Sequence, residues 1–223
     1  MRIELNDVAG NTLYSHTCED NTIKITLEKA VKEEVDLTGI KLSEVNLTCL
    51  YLRGAKFKDA DLWGCNLSGS DLRDADLRNT NLCNAKMNAC LLLNADLSNS
   101  LATNISLNGA NFEGANLKNI GLCMATLSNC KKLHYATCSF SGLGEEESRL
   151  NCVVINGEPM FFDENYKGTE EQFLAFIKND SFVSTDKDTG VSILEAKLFA
   201  LDFCKKAIKR FKTVENKYWA YID

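Results

Sequence analysis

From Val35 to Asn129 the chain repeats every five residues without insertion or deletion, as in AKFKD ADLWG CNLSG SDLRD ADLRN. With the third residue of each five taken as its centre, nineteen centres run from Leu37 to Leu127. Fifteen are Leu, and the others are Phe57, Met87, Ala102 and Phe112. Two residues before each centre stands a small or β-branched residue, Ala in eight cases and a larger side chain once, at Leu50. A period of five fits neither the 3.6 of a helix nor the 2 of a plain strand. On a helix, five steps of ~100° would rotate each centre by ~140° from the last, and no single face could be buried. The pattern suits a coil of very short extended segments, each followed by a turn. Two residues of every five then point inward, one large and one small. Gly39, Gly54, Asp59, Gly64, Gly69, Asp74, Asn79 and Asn84 after the centres are the residues that turns favour.

The units ADLWG (60–64), ADLRN (75–79), ADLSN (95–99), ANFEG (110–114) and ANLKN (115–119) resemble the A(D/N)LXX consensus of the pentapeptide-repeat proteins. That resemblance implies an all-β solenoid, a right-handed quadrilateral β-helix with four pentapeptides to a coil. Nineteen units make nearly five coils, a column roughly 23 Å long at ~4.8 Å between stacked strands. The column is expected over residues 23–143. Ile25 and Leu27 fall in phase one coil early, although Lys32 occupies the next centre. After Cys130 the register resumes one residue late through Leu133, Cys138 and Leu143. Ala102, flanked by Leu101, is an under-filled centre.

A solenoid has open ends that need covering. Residues 1–22 offer a strand from Met1 to Leu5 and a turn near Gly10, and ITLEKAVKEE just beyond could form a short helix over the first coil. This start is similar to that of phage- and bacterium-encoded members of the family. Residues 144–223 lose the period and read as a small α+β cap. CVVINGEPMFF is a hairpin with Asn156-Gly157 at its turn. Thr169–Gln172 and Ser192–Glu195 match the capping-box pattern ahead of two helices, to about Lys178 and Lys212. The second carries an apolar stripe of Leu194, Leu198, Leu201, Cys204 or Phe203, Ile208 and Phe211.

Chemistry is hard to place on this chain. It contains no Walker A loop, no G-x-G-x-x-G, no H-E-x-x-H and no G-x-S-x-G. Its ten cysteines include no C-x-x-C pair, and the opening MRIELNDVAG has no apolar signal core, so reduced thiols in the cytoplasm are the expectation. Cys130, His134 and Cys138, even with Cys152 added, are spaced too widely for a usual structural zinc site. Asp61, Asp71, Asp76 and Asp96 occupy the consensus acidic position, which points to structural work. No enzyme, cofactor or metal is expected. No apolar run approaches the ~20 residues of a membrane span.

Charge bears on the most attractive partner. Some pentapeptide-repeat proteins resemble B-DNA and occupy the DNA site of gyrase, which requires acidic stripes. The chain carries a net charge of -6, yet Val35–Leu143 holds nine acidic residues against ten basic ones, so the charge lies in the ends. A globally acidic chain also argues against direct nucleic-acid binding. By contrast, Tyr51, Leu91 and Leu93 fall at outward positions on one face, and Trp63, Cys83, Leu101 and Cys123 on another. Exposed apolar groups mark contact surfaces. The reading is a non-catalytic scaffold presenting flat faces to a protein partner, a second copy included, with Tyr51, Trp63, Leu91, Leu93 and Leu101 as candidate contacts. A DNA-mimic modulator of gyrase is the alternative.

Overall fold

The computed structural model describes residues 1–133, 135–140, 148–155, 158–163 and 166–179, and then Leu198, 200–202, 204–206 and Lys209. The chain divides into two compact units, Met1–Leu133 and His134–Asp223.

The first unit opens with an antiparallel pair, β1 (Arg2–Asn6) and β2 (Thr12–Thr17), turned at Gly10 with φ +89°. Helix α1 (Ile23–Lys32) follows. Its cap is Thr22, whose Oγ1 accepts the Ile25 amide at 3.2 Å. The helix buries Thr26, Leu27 and Ala30. The expected column from residue 23 therefore starts too early: Leu27 is buried, but Ile25, its supposed partner in phase, is 42% exposed. A cap followed by good helix formers overrode two apolar residues in five-residue phase, and a coil would have had to bury Lys32.

Beyond α1 the backbone stacks on itself every twenty residues. Parallel bridges join Asp36 to Lys56, Lys56 to Asp76 and Asp76 to Asp96, and equivalent series end at Asn111–Lys131. Four pentapeptides thus make one coil. Each segment is held from both sides: the Leu62 amide donates to Asn81 O at 2.9 Å, and the Asp61 amide to Ile40 O at 2.9 Å. Between segments the centre's carbonyl accepts the amide three residues on, as in Ala60 N to Phe57 O at 3.1 Å. The residue after the turn's midpoint has positive φ in every one of the nineteen units, from Gly39 (72°) to Asn129 (59°). That is the requirement of a type II turn, and it explains why Gly, Asn and Asp dominate there.

All nineteen centres are buried, Leu37 to Leu127, and most of the small residues two before them as well. Three inward positions carry hydroxyls, each satisfied without water. Ser70 Oγ donates to Leu47 O at 2.9 Å and accepts the Leu50 amide at 3.0 Å, while Thr80 and Ser100 both donate to Leu77 O. Buried polar groups of this kind cost little only when fully bonded. Ala102 is buried and Leu101 does not fill in for it, being 61% exposed.

The first coil is covered by the residues before it. Lys41 N donates to Asn6 O at 2.9 Å, Val8 N to Gly39 O at 3.0 Å, and Val35 N to Ala30 O at 3.0 Å. Lys24 Nζ reaches Thr48 O at 3.0 Å, and Glu28 Oε1 accepts the Tyr51 amide at 2.8 Å.

The bridges stop at Lys131. Tyr135–Phe140, expected as further repeat, is strand β3 of a separate antiparallel sheet of order β3-β4-β5-β6. Its segment YATCSF has no Gly, Asn or Asp to turn the chain at the fifth residue, so it runs straight. Strands β4 (Ser148–Ile155), β5 (Glu158–Asp163) and β6 (Tyr166–Thr169) continue the sheet, and helix α2 (Glu170–Asn179) follows. The expected hairpin is β4–β5, with Ile155 opposite Glu158; its turn residues lie outside the described residues. The first capping box is reciprocal: Thr169 Oγ1 accepts the Gln172 amide and Gln172 Oε1 the Thr169 amide. Leu150, Cys152, Phe161, Phe173, Ile177, Ala200, Leu201 and Cys204 form this unit's core. Most of the second expected helix, with its capping box, lies outside the described residues. Leu201 and Cys204 are helical and buried as the stripe requires, whereas Leu198 is 39% exposed.

Four turn positions lack a residue suited to positive φ: Glu44, Cys49, Ala89 and Met124. Ala89 (φ 56°) and Gly109 (φ +74°) occupy one corner on neighbouring coils, and a Cβ on Gly109 meets nothing nearer than 3.9 Å. Left-handed backbone costs an alanine about 1 kcal/mol. Ala89→Gly is expected to stabilise the chain by about that amount and Gly109→Ala to destabilise it similarly, read by chemical denaturation.

Candidate protein-contact surface

On the outside of the column, the residue just before each centre follows one rule wherever it is Asp or Asn: its side-chain oxygen accepts the backbone amide two residues on. Ten positions do this, Asp36, Asn46, Asp61, Asn66, Asp71, Asp76, Asn81, Asp96, Asn111 and Asn116, at 2.9–3.3 Å. These bonds hold the outward backbone of each segment in its turn. The carboxylates of the repeat thus do structural work. Side chains also bond coil to coil, as in Asn79 Nδ2 to Asp59 Oδ1 at 2.9 Å and Asn116 Nδ2 to Asp96 Oδ1 at 3.0 Å.

Three positions in this register carry large apolar groups instead: Tyr51, Leu91 and Leu101, exposed by 77%, 40% and 61%. None can accept the amide, so each forgoes a bond that its neighbours make and shows water an apolar side chain. Tyr51 and Leu91 share a file with Asp71 between them, joined by the bridges Tyr51–Asp71 and Asp71–Leu91. Leu93, half-buried, stands beside Leu91 in the next file, where Arg73, Leu93 and Glu113 follow one another on successive coils. Sequence spacing grouped Tyr51 with Leu91 and Leu93. The structure inserts an ion pair into that group, with Arg73 on Asp71 through Nε (2.8 Å) and Nη2 (2.6 Å). Leu101 lies between Asn81 and Gly121 on another side, and Trp63, Cys83 and Cys123 belong to the neighbouring file there. Trp63 is 39% exposed.

Several of the column's charges are spent on one another. Arg78 binds Asp76 as Arg73 binds Asp71, and Arg53 reaches Asp74 at 2.9 Å. The guanidinium of Arg73 holds the Asp71 carboxyl below its ordinary value of 3.8, against the opposing push of burial. Arg78 does the same for Asp76, and Asn94 with Arg53 for Asp74.

Among the described residues no group of three His, Cys, Asp or Glu could hold a metal. Cys130 Sγ donates to Leu107 O at 3.2 Å, and His134 and the Cys138 side chain lie outside the described residues. Burial pushes the Cys130 thiol up to about 11, and Cys65 and Cys90 up to about 12, so these thiols stay protonated. None of the nine cysteines whose side chains are described is in a disulfide. A cavity of about 410 Å³ in the second unit is lined by Pro159, Phe161, Glu170, Asp202, Lys205 and others. Its rim is crossed by the pairs Lys205–Glu170 (2.5 Å) and Lys206–Asp202 (2.6 Å). No helix of the described residues is long and apolar enough to cross a membrane.

The family model for pentapeptide repeats matches residues 51–88 and 90–130, in eight copies. Residues 51–130 of the chain are pentapeptide repeats. No curated protein matches it in sequence. Its solved relatives include HetL of the cyanobacterium Nostoc sp. strain PCC 7120, a pentapeptide repeat protein involved in heterocyst differentiation regulation. That match has 27% identity and a TM-score of 0.27 over 41% of this chain and 38% of that one. Rfr23 of the cyanobacterium Cyanothece 51142 gives 25% identity and a TM-score of 0.22, over 42% of this chain and 60% of that one. QnrB1, a plasmid-mediated fluoroquinolone resistance protein in trypsin-treated form, gives 23% and 0.27 over 40% and 46%. The chain therefore spans less than two thirds of each. The repeat stacking itself extends beyond the matched residues, back to Val35.

For this protein two measurements follow. The folded-state carboxyls of Asp71, Asp74 and Asp76 titrate below their unfolded value, so the unfolded chain binds protons first as pH falls. Their contribution is complete well above 3.8 and is lost as pH drops through the folded values; melting temperature should fall steeply below about pH 4. Alkylation at pH 8 followed by peptide mapping should label exposed Cys49 in the native protein, and Cys65 and Cys90 only after unfolding.

Proposed function

We propose that the protein is a non-catalytic binding module, its column a right-handed quadrilateral β-helix whose flat outer files dock onto a protein partner. The observation that carries this reading is the break in the outward rule at Tyr51, Leu91 and Leu101. A repeat that places Asp or Asn at ten equivalent positions gives up a local hydrogen bond, worth about 1 kcal/mol, to expose each of these side chains. Natural sequences break a local rule of this kind mainly at functional sites. On the Leu101 side the neighbouring file, with Trp63, Cys83 and Cys123, contains no charged side chain from Ser43 onward. A partner with an apolar patch of its own would fit there.

Reading the column as a DNA mimic that acts on gyrase would need unpaired carboxylates in rows. Asp71, Asp74 and Asp76 are neutralised by Arg73, Arg53 and Arg78 instead, which favours the docking module.

The test uses the repeat's own rule. Leu101→Asp places at this position the residue that the repeat prefers, able to accept the Thr103 amide, so the melting temperature should stay the same or rise. A photo-crosslinking residue at position 101 in the source cells should trap a specific partner, and the same probe at Asn116 should not. Loss of the trapped species in a Trp63→Asp background is expected. Equal trapping at both positions would refute the assignment.

A further inference from the structure

The face that holds Tyr51, Leu91 and Leu93 has a property that the Leu101 side lacks: it is complementary to itself. One file along it reads Tyr51, Asp71, Leu91, Asn111, Lys131, linked by successive bridges. The file beside it carries Arg53, held by Asp74, then Arg73, Leu93 and Glu113 on the first to fourth coils. Five coils place Leu91 and Leu93 at the midpoint, with two coils on either side.

We propose that this face is a self-docking surface, through which two copies of the chain pair side by side with their columns antiparallel about a two-fold axis at the level of Leu91 and Leu93. The proposal rests on the reading that the outward apolar residues are contact sites, and it names the occupant of this face as a second copy.

A two-fold axis lying in the contact plane, across the columns, sets each file against the same file of the other copy, run backwards. The third coil meets the third, so Leu91 faces Leu91 and Leu93 faces Leu93 at the centre. The second coil meets the fourth. There Arg73 faces Glu113, whose carboxylate has no ion-pair partner among the described residues, and Asp71 faces the Asn111 amide. The first coil meets the fifth, which brings the Lys131 ammonium to the Tyr51 ring, a cation–π pairing. The apolar pair is central and the polar pairs surround it, which is the arrangement of a specific interface.

Neighbouring antiparallel registers fail on charge. Sliding the copies so that Tyr51 meets Leu91 sets Asp71 on Asp71 and Arg73 on Arg73. The intermediate slide sets Arg53 against Glu113 but lays the Asp71–Arg73 ion pair on Leu91 and Leu93, and a slide the other way sets the Glu113 carboxylate on Leu93. Burying charged groups against leucine is costly. A parallel pair would set Glu113 against Asn111 and leave it without a cation. The face spans four bridge spacings, roughly 19 Å at ~4.8 Å each. An area this small belongs with weak complexes, and dissociation in the micromolar range is expected.

The experiment is sedimentation equilibrium on the full chain with four variants, each checked by thermal melting. The wild type should show a monomer–dimer equilibrium below about 100 µM. Leu91→Asp, which restores the repeat's preferred residue and so spares the fold, should weaken it more than tenfold. Glu113→Arg sets two Arg–Arg contacts in the dimer and touches no ion pair in the monomer; it should also weaken association about tenfold. Adding Arg73→Glu to Glu113→Arg should restore association, which a parallel arrangement would not do. A wild type that is monomeric at 100 µM, or a Leu91→Asp variant that associates as before, would overturn the proposal; association lost in Glu113→Arg and not restored in the double variant would overturn the antiparallel register. Leu101→Asp should leave dimerisation unchanged. If the chain is monomeric while the probe at position 101 still traps its partner, self-docking falls and the binding-module reading stands.

Discussion

A left-handed turn at every fifth residue is the constraint on which this protein rests. Positive φ at position 39, 44, 49 and onward to 129 folds the backbone a quarter of the way round, and four such turns bring residue i beside residue i+20. The stacking bonds that follow are possible only if no unit gains or loses a residue. One insertion would move every later leucine off the interior, as a one-residue slip does in an ordinary strand. The absence of insertions between Val35 and Asn129 is therefore a physical requirement of the ladder.

Hydrophobic burial and hydrogen bonding divide the work by position. Every centre but Ala102 places a Leu, Phe or Met beyond the reach of water, worth about 1.5–3 kcal/mol apiece before the entropy of ordering is counted. The outward Asp and Asn contribute little burial, yet they decide direction: their bonds to the amide two residues on favour the turn over a continued strand. Inward thiols and hydroxyls, at Cys90, Cys130, Ser70, Thr80 and Ser100, donate to carbonyls of the column wall, so small polar residues replace alanine without leaving a polar atom unsatisfied.

Because the turn bonds are made so regularly, departures from them carry information. Tyr51, Leu91 and Leu101 stand out only against the ten Asp and Asn residues in their register. Their exposure was legible from spacing alone, since the residue before each centre must point outward. The surroundings were not. Asp71 and Arg73 separate Tyr51 from Leu91 because the coil has twenty residues, and Arg73, Leu93 and Glu113 form one file only because successive coils stack in register. The near-neutrality of the column was legible too, since the acidic excess lies in the ends and Arg73 and Arg78 stand two residues from the aspartates they bind.

At the two ends the period was a poorer guide. Ile25 and Leu27 matched its phase but lay on α1, where the Thr22 cap and the run of helix formers prevailed; Cys138 matched it but lay on β3, where nothing turns the chain. The sequence by itself determined the unit: one large and one small inward residue, a turn, and a repeat of five, because each of these is local and is written in residue type. Only the tertiary structure decided where stacking starts and stops and which outward residues become neighbours. Those outcomes depend on contacts between residues twenty or forty apart, and no five-residue window contains them.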